Sequence, residues 1–235
     1  MTKRRFYLSF LVFGSIIAFS SCSSKPDTSW FTSSPCEAPC WFDIVPGKTT
    51  SSELLPLLLE NTYIDDKSIA NRDVSLKIFN DIYYFNLKNH VEGEIWLLDD
   101  RISSIFWGSP GDGEITNSLG LTVGELINKF GEPDFVVRVN DLGPGLLPIS
   151  DAVHPIVFLI NSKKGIVISY DEYRLPKKYH NRVAPDIEVG SLEFFSPDDF
   201  DRLLEVGAFT MFETETKEDA LRRLRPWKGY GEYTN

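Results

Sequence analysis

One local pattern occurs twice and restricts the fold more than any other feature. Thr50-Ser51-Ser52-Glu53 and Thr122-Val123-Gly124-Glu125 are T-x-x-E boxes set 72 residues apart. In such a box the Thr side chain accepts the amide three residues on, and the Glu reaches back to the Thr amide, so each box marks a helix start. Behind the second box, Val123, Leu126, Ile127 and Phe130 recur at helical spacing and define one apolar face. Leu121 and Leu126 are placed to form a hydrophobic staple. Gly131 suits the C-terminal cap and Pro133 bars continuation. Behind the first box Leu54, Leu55 and Leu58 hold the matching positions, and Pro56 predicts a kink or an early end.

Strand signals follow each predicted helix. In the first copy Tyr83, Phe85 and Leu87 alternate. Glu94 to Leu98 and Ile102 to Trp107 then flank a turn at Asp99-Asp100. In the second copy Phe135, Val137 and Val139 alternate, and Ile156 to Ile160 and Ile166 to Tyr170 flank the loop Asn161 to Gly165. Neither copy can bury both faces of its elements alone. The expected fold class is therefore α+β: two tandem units of one helix plus an antiparallel meander, packed together. The units span residues 36–115 and 116–180, and a C-terminal α/β extension covers 181–235. In that extension Ile187 to Phe195 reads as a strand. Ser196-Pro197-Asp198-Asp199 reads as a helix start, and Thr216 to Arg225 as a second short helix stopped by Pro226.

The N-terminus carries an export pattern. Lys3-Arg4-Arg5 precedes the uncharged run Phe6 to Phe19, and Ser20-Ser21-Cys22 follows. As a helix the run spans about 21 Å, short of the roughly 30 Å hydrocarbon core, which favours a cleaved signal over a permanent span. Residues 1–21 read as the signal peptide. Residues 22–35 are rich in Ser, Thr and Pro and read as a tether. The stretch Phe19-Ser20-Ser21-Cys22 resembles a lipobox, with Phe where Leu is usual. That resemblance implies cleavage before Cys22 and acyl chains on it, hence an anchor in the cell membrane or the outer membrane, facing away from the cytoplasm. An ordinary signal peptide with an incidental cysteine and an uncleaved anchor are the competing readings.

Charge narrows the partners. The formal net charge is −10, and Lys3, Arg4 and Arg5 contribute three positive charges, so a chain cut before Cys22 carries −13. A body this acidic is a poor nucleic-acid binder. Besides Cys22 the cysteines are Cys36 and Cys40. Outside the cytoplasm a pair this close suits a disulfide; free thiols, redox work and metal binding are the alternatives. C-x3-C is not the thioredoxin spacing, and no second Cys or His pair stands near to complete a zinc site.

The residues that carry chemistry in known enzymes are not in recognisable patterns. There is no H-E-x-x-H, G-x-S-x-G or P-loop, and Gly143 to Pro148 reads as a surface loop. His90, His154 and His180 stand far apart in the chain. The acidic pairs Asp65-Asp66, Asp99-Asp100 and Asp198-Asp199 suit turns and a helix start. No catalytic residue, metal ligand or cofactor is therefore expected. Trp96 and Trp107 fit the core or a sheet surface. Trp227, Tyr230 and Tyr233 form a candidate contact surface in an aromatic, glycine-rich tail.

Gly120, the capped helix, the Gly131-Glu132-Pro133 break and the meander together are similar to the SmpA/OmlA/BamE family of small envelope lipoproteins. Two such units in tandem resemble the β-lactamase inhibitor protein fold. Pro39-Cys40-Trp41 and Pro46 to Thr50 look like segments of uncharacterised bacterial lipoproteins. The resemblance covers roughly residues 40–172. It implies a protein-binding role in the cell envelope, since family members assist β-barrel assembly or inhibit secreted β-lactamases. It carries no binding residue over, because the matched positions are caps and core. The functional expectation is a membrane-anchored, non-catalytic binding or scaffold protein with an envelope or secreted protein as partner. An inhibitor of an extracytoplasmic hydrolase and a glycan-acting enzyme are the alternatives.

Overall fold

The computed structural model describes residues 27–76, 79–108, 119–139, 155–205 and 217–233. The export run, Cys22, the Gly143 to Pro148 loop and His154 lie outside these residues. The described chain is α+β, built on one large antiparallel sheet. Its strands are β1 (Ala70–Leu76), β2 (Phe79–Asn86), β3 (Glu92–Leu98), β4 (Arg101–Gly108), β5 (Phe135–Val139), β6 (Ile156–Asn161) and β7 (Ile166–Asp171). A short β8 (Arg182–Val183) is followed by β9 (Ser191–Phe195), β10 (Arg225–Pro226) and β11 (Gly231–Glu232). The main sheet runs β1-β2-β3-β4-β9-β7-β6-β5-β10, and β11 pairs with β8 separately. The helices are α1 (Ser29–Thr32), α2 (Ser51–Glu60), α3 (Val123–Phe130), α4 (Phe200–Glu205) and α5 (Lys217–Arg223).

Both T-x-x-E boxes open helices. Glu53 accepts the Thr50 amide at 2.9 Å, and Glu125 accepts the Thr122 amide at 2.7 Å. Gly131 ends α3 with φ of +89°. Asp99 and Asp100, at φ +51° and +62°, form the two-residue turn between β3 and β4, a backbone that Asp tolerates better than most residues.

Register divides the sheet into two faces. On the inner face Leu54 and Leu58 of α2 and Val123, Leu126, Ile127 and Phe130 of α3 pack on Ile95, Ile105, Trp107, Leu192 and Phe194. Alternation follows from the pleat, which turns every second side chain inward. On the outer face Leu203, Leu204 and Ala220 of α4 and α5 cover Val137, Val139, Ile160, Val167 and Phe195.

Three expectations change. The tether expected over residues 22–35 is already folded at Ser29: Trp30 is 1% exposed and Phe31 is 4% exposed. Their rings lie 5.6 Å from Trp107 and 5.5 Å from Phe130, and burying two large aromatic surfaces outweighs the polar composition around them. Pro56 does not stop α2, which continues to Glu60. Leu54 and Leu58, both fully buried, hold the helix on the sheet across the missing amide. The segment 181–235 is not simply appended. Its strand β9, shorter than the expected Ile187 to Phe195, lies between β4 and β7 and pairs with both. A further strand, β1, has no counterpart in the sequence reading.

Gly165 secures that central position. Its φ is +64°, and a Cβ there would stand 2.0 Å from the Phe195 carbonyl oxygen. Gly165→Ala is therefore expected to destabilise the protein by about 2 kcal/mol or more through the strained backbone and the clash with β9. Equilibrium denaturation by urea checks this; an unchanged midpoint would refute the close approach.

Candidate functional site

Beside α4 and α5, the outer face carries a row of acids and aromatic rings across four strands. Register aligns Tyr84 of β2 with Glu94 of β3, Glu94 with Phe106 of β4, and Phe106 with Glu193 of β9. The adjacent row aligns Ile82, Trp96, Ser104 and Phe195. Tyr84, Glu94, Trp96, Phe106 and Glu193 are all half-buried. Two strand spacings, about 9.5 Å, separate the Glu94 and Glu193 backbones, with Phe106 at the register position between them.

The neighbours of each acid are specific. Trp96 Nε1 donates to Glu94 Oε2 at 3.2 Å, and Phe79 packs edge-on against Trp96 at 5.0 Å. The Arg72 guanidinium lies 4.9 Å over the Tyr84 ring, a cation–π contact. Burial raises the Glu94 carboxyl above its ordinary range, the Trp96 donor works against that, and Glu92 adds to it. Burial likewise pushes Glu193 up to about 7, opposed by the Ser104 hydroxyl and reinforced by Glu94. The Tyr84 hydroxyl is raised by burial and by Glu94, with Arg72 opposing. Near neutral pH Glu193 thus exists in both protonation states and can donate or accept a hydrogen bond.

Neither acid was singled out from the sequence. The available signal was their position: Glu94-Ile95-Trp96 and Leu192-Glu193-Phe194 place a charge inside apolar strands, where one face of a sheet is normally covered.

The sequence-derived candidates lie elsewhere. Cys36 and Cys40 form a disulfide with a Cα–Cα distance of 5.7 Å, just before Trp41, which is fully buried and donates from Nε1 to the Trp30 carbonyl. The Asp43 carboxylate is near the two sulfurs, but a bridged pair offers no thiolate to a metal. Trp227 stacks on Tyr233 at 6.0 Å and meets Tyr230 edge-on at 5.7 Å. The Trp227 amide donates to the Asp134 carbonyl, so this aromatic arm packs on its own body, with Tyr230 45% exposed. Trp107 is fully buried in the inner core. His90 sits in the turn after β2, and His180 Nε2 contacts the Leu175 carbonyl at 3.1 Å. Asp65 accepts the Lys67 amide, Asp99 pairs with Arg202 at 2.7 Å, and Asp100 accepts from Ser51. Asp198 and Asp199 lie in the short turn of helix before α4.

Two other features were not anticipated. Glu172 is 1% exposed and pairs with Arg138 at 2.6 Å while accepting the Asn181 amide. Its partners are all within the fold, which marks it as a structural clamp. An open depression of about 630 Å³ lies beside α2, lined by Lys48, Thr49, Glu53, Pro56, Leu57 and Glu60 among others.

The raised Glu193 sets the sign of a pH effect. Its carboxyl titrates near 4.5 when exposed and near 7 in the fold, so the folded state binds the extra proton between these values. Stability from this group is full below about pH 4.5 and falls as pH rises to about 7, by on the order of 3 kcal/mol. Glu193→Gln mimics the protonated acid. It is expected to raise stability at pH 8 and flatten the dependence between pH 5 and 7, as read by urea denaturation across that range. A variant with an unchanged pH profile would show that Glu193 is not the titrating group.

No family model matches the chain, and no curated protein matches it. Among solved structures the chain is similar to a DUF4309 family protein, YjgB, from Bacillus subtilis subsp. subtilis str. 168. The identity is 13% and the TM-score 0.32, over 65% of this chain and 82% of that one.

Proposed function

We propose that this chain is an extracytoplasmic, membrane-anchored binding protein that uses its outer sheet face to hold a basic surface of another envelope or secreted protein. The observation that carries the reading is the row Tyr84, Glu94, Phe106, Glu193. Among the described residues neither half-buried carboxylate of this row has an ion-pair partner, and a Lys or Arg from outside would supply one. A body charge of −13 after loss of residues 1–21 steers such a surface toward the site. The export pattern ending at Cys22 supports anchoring, and the Cys36–Cys40 disulfide supports a compartment where thiols are oxidised. In the same reading α2 with β1 to β4, and α3 with β5 to β7, are the two tandem units, and the likeness to the SmpA/OmlA/BamE pattern rests on their two capping boxes.

A specific observation also favours a second reading. Glu94 and Glu193 are two half-buried acids two strands apart on one sheet face, and Glu193 near 7 fits a general acid. The two readings part on turnover: hydrolysis of soluble glycan fragments that is lost in Glu193→Gln would select the enzyme.

Two outcomes test the main proposal. Cys22→Ala is expected to move the protein from the membrane fraction to the soluble extracytoplasmic fraction, and retention on the membrane would refute the anchor. A photo-crosslinking amino acid at Phe106 is expected to trap a discrete partner, whereas one at Tyr173, 57% exposed on another part of the surface, is not. Identical adducts from both positions, or none from Phe106, would sink the binding face.

A further inference from the structure

The N-terminal segment joins the body at a defined place. The Asn89 side-chain amide donates to the Asp27 carbonyl at 2.7 Å, and α1 begins two residues later with Trp30 and Phe31 sunk in the core. Asn89 belongs to the turn between β2 and β3. The neighbouring Lys88 donates from its amide to the Tyr63 carbonyl at 2.9 Å and from Nζ to the Thr62 carbonyl at 2.6 Å. Thr62 lies just past the end of α2. The chain entry, the β2–β3 turn and the C-terminal end of α2 therefore share one end of the molecule.

Only five residue steps separate Cys22 from Asp27. Fully extended they reach about 17 Å. Ordering from Asp27 onward leaves no longer spacer, so a body anchored at Cys22 is held at the lipid surface by that end. Among the described residues the same end carries exposed apolar surface. Leu55 and Leu59 are one helical turn apart on α2 and are 42% and 51% exposed, while Leu54 and Leu58 beside them are fully buried. Leu57 and Pro56 line the adjoining depression.

We infer that the Leu55–Leu59 ridge of α2 rests on the lipid bilayer to which Cys22 is attached. The inference depends on the anchor reading above. Two leucines are a weak membrane contact for a free protein. A short tether converts the contact into an intramolecular one at millimolar effective concentration, and so makes it count. Glu53 and Glu60 border the ridge, so the favoured surface is zwitterionic, not anionic. The helices α1 to α3 cover the inner face of the sheet, and the Tyr84–Glu193 row occupies the outer face. With α2 on the lipid, the row points away from the membrane, toward a partner arriving from outside.

The test uses the lipidated full-length mature protein in phosphatidylcholine vesicles containing brominated acyl chains. Cys36 and Cys40 are bridged and Cys22 would be consumed by the thioether, so Leu59→Cys adds a single reactive thiol for an environment-sensitive fluorophore. Leu221→Cys on α5, which covers the outer face and is 45% exposed, is the control. Bromine quenching is expected to be on the order of threefold stronger at 59 than at 221, with a blue-shifted emission at 59. Equal quenching at the two positions, in protein that floats with the vesicles and carries acyl chains on Cys22, overturns the ridge contact and leaves the anchor standing. Absence of those acyl chains overturns the anchor, and the contact with it.

Discussion

A strand in the middle of a sheet has to satisfy hydrogen-bonding neighbours on both edges, and here that strand is Ser191–Phe195. It pairs with β4 through Ser104 to Trp107 and with β7 through Ile166 to Ser169. Without it, the meander β1 to β4 and the meander β5 to β7 would each present an open edge near the middle of the body, an exposed row of amides and carbonyls. Its alternation serves both layers at once. Leu192 and Phe194 enter the inner core, and Phe195 enters the outer cluster under α4. The fold thus depends on a segment that arrives late in the chain, after both meanders. Its contacts are long-range, so pairing it with both meanders carries a loop-closure entropy cost.

The rings around Trp107 join the rest to that strand. Trp107 lies 5.1 Å from Phe194, 5.2 Å from Trp41 and 5.6 Å from Trp30. Phe130 continues the series to α3, and Phe85 stacks on Trp41 from β2. Rings at these distances contribute area burial plus about 0.5–1.5 kcal/mol per pair from their quadrupoles. The N-terminal segment is part of this assembly, so where the chain enters the body is fixed by the same contacts that hold the sheet halves together.

What the sequence revealed follows from how local each feature is. The helix α3 was legible to within a residue, because Thr122, Glu125, the apolar spacing and Gly131 all act within one helix. The β3–β4 hairpin was legible for the same reason, through Asp99 and Asp100. Strand β1, Ala-Asn-Arg-Asp-Val-Ser-Leu, has no apolar alternation, since it lies at the sheet edge with one neighbour. The docking of Trp30 and Phe31 was hidden by the Ser and Pro around them, and composition cannot say which aromatic finds a slot. The central place of β9 depends on its pairing partners, which no single window contains. The candidate row is the same case. Tyr84, Glu94, Phe106 and Glu193 come from four strands, and only register brings them into line.

A half-buried acid in a sheet is a cost that the fold bears throughout, and Glu193 bears it in the strand on which everything else depends. An apolar residue there would face Val167 on one side and Phe106 on the other, and would extend the outer cluster across the strand. The Ser104 hydroxyl offsets the desolvation only in part, and Glu94 opposes ionisation. Stability therefore gives no reason for the acid at this position. The binding reading proposed above gives one: a cation held near Glu193 and Glu94 would remove their mutual repulsion and favour the charged form. The proton released on such binding would make the affinity rise with pH through the neutral range. In that reading the strand that closes the sheet also supplies the acid that a partner would meet on its outer face.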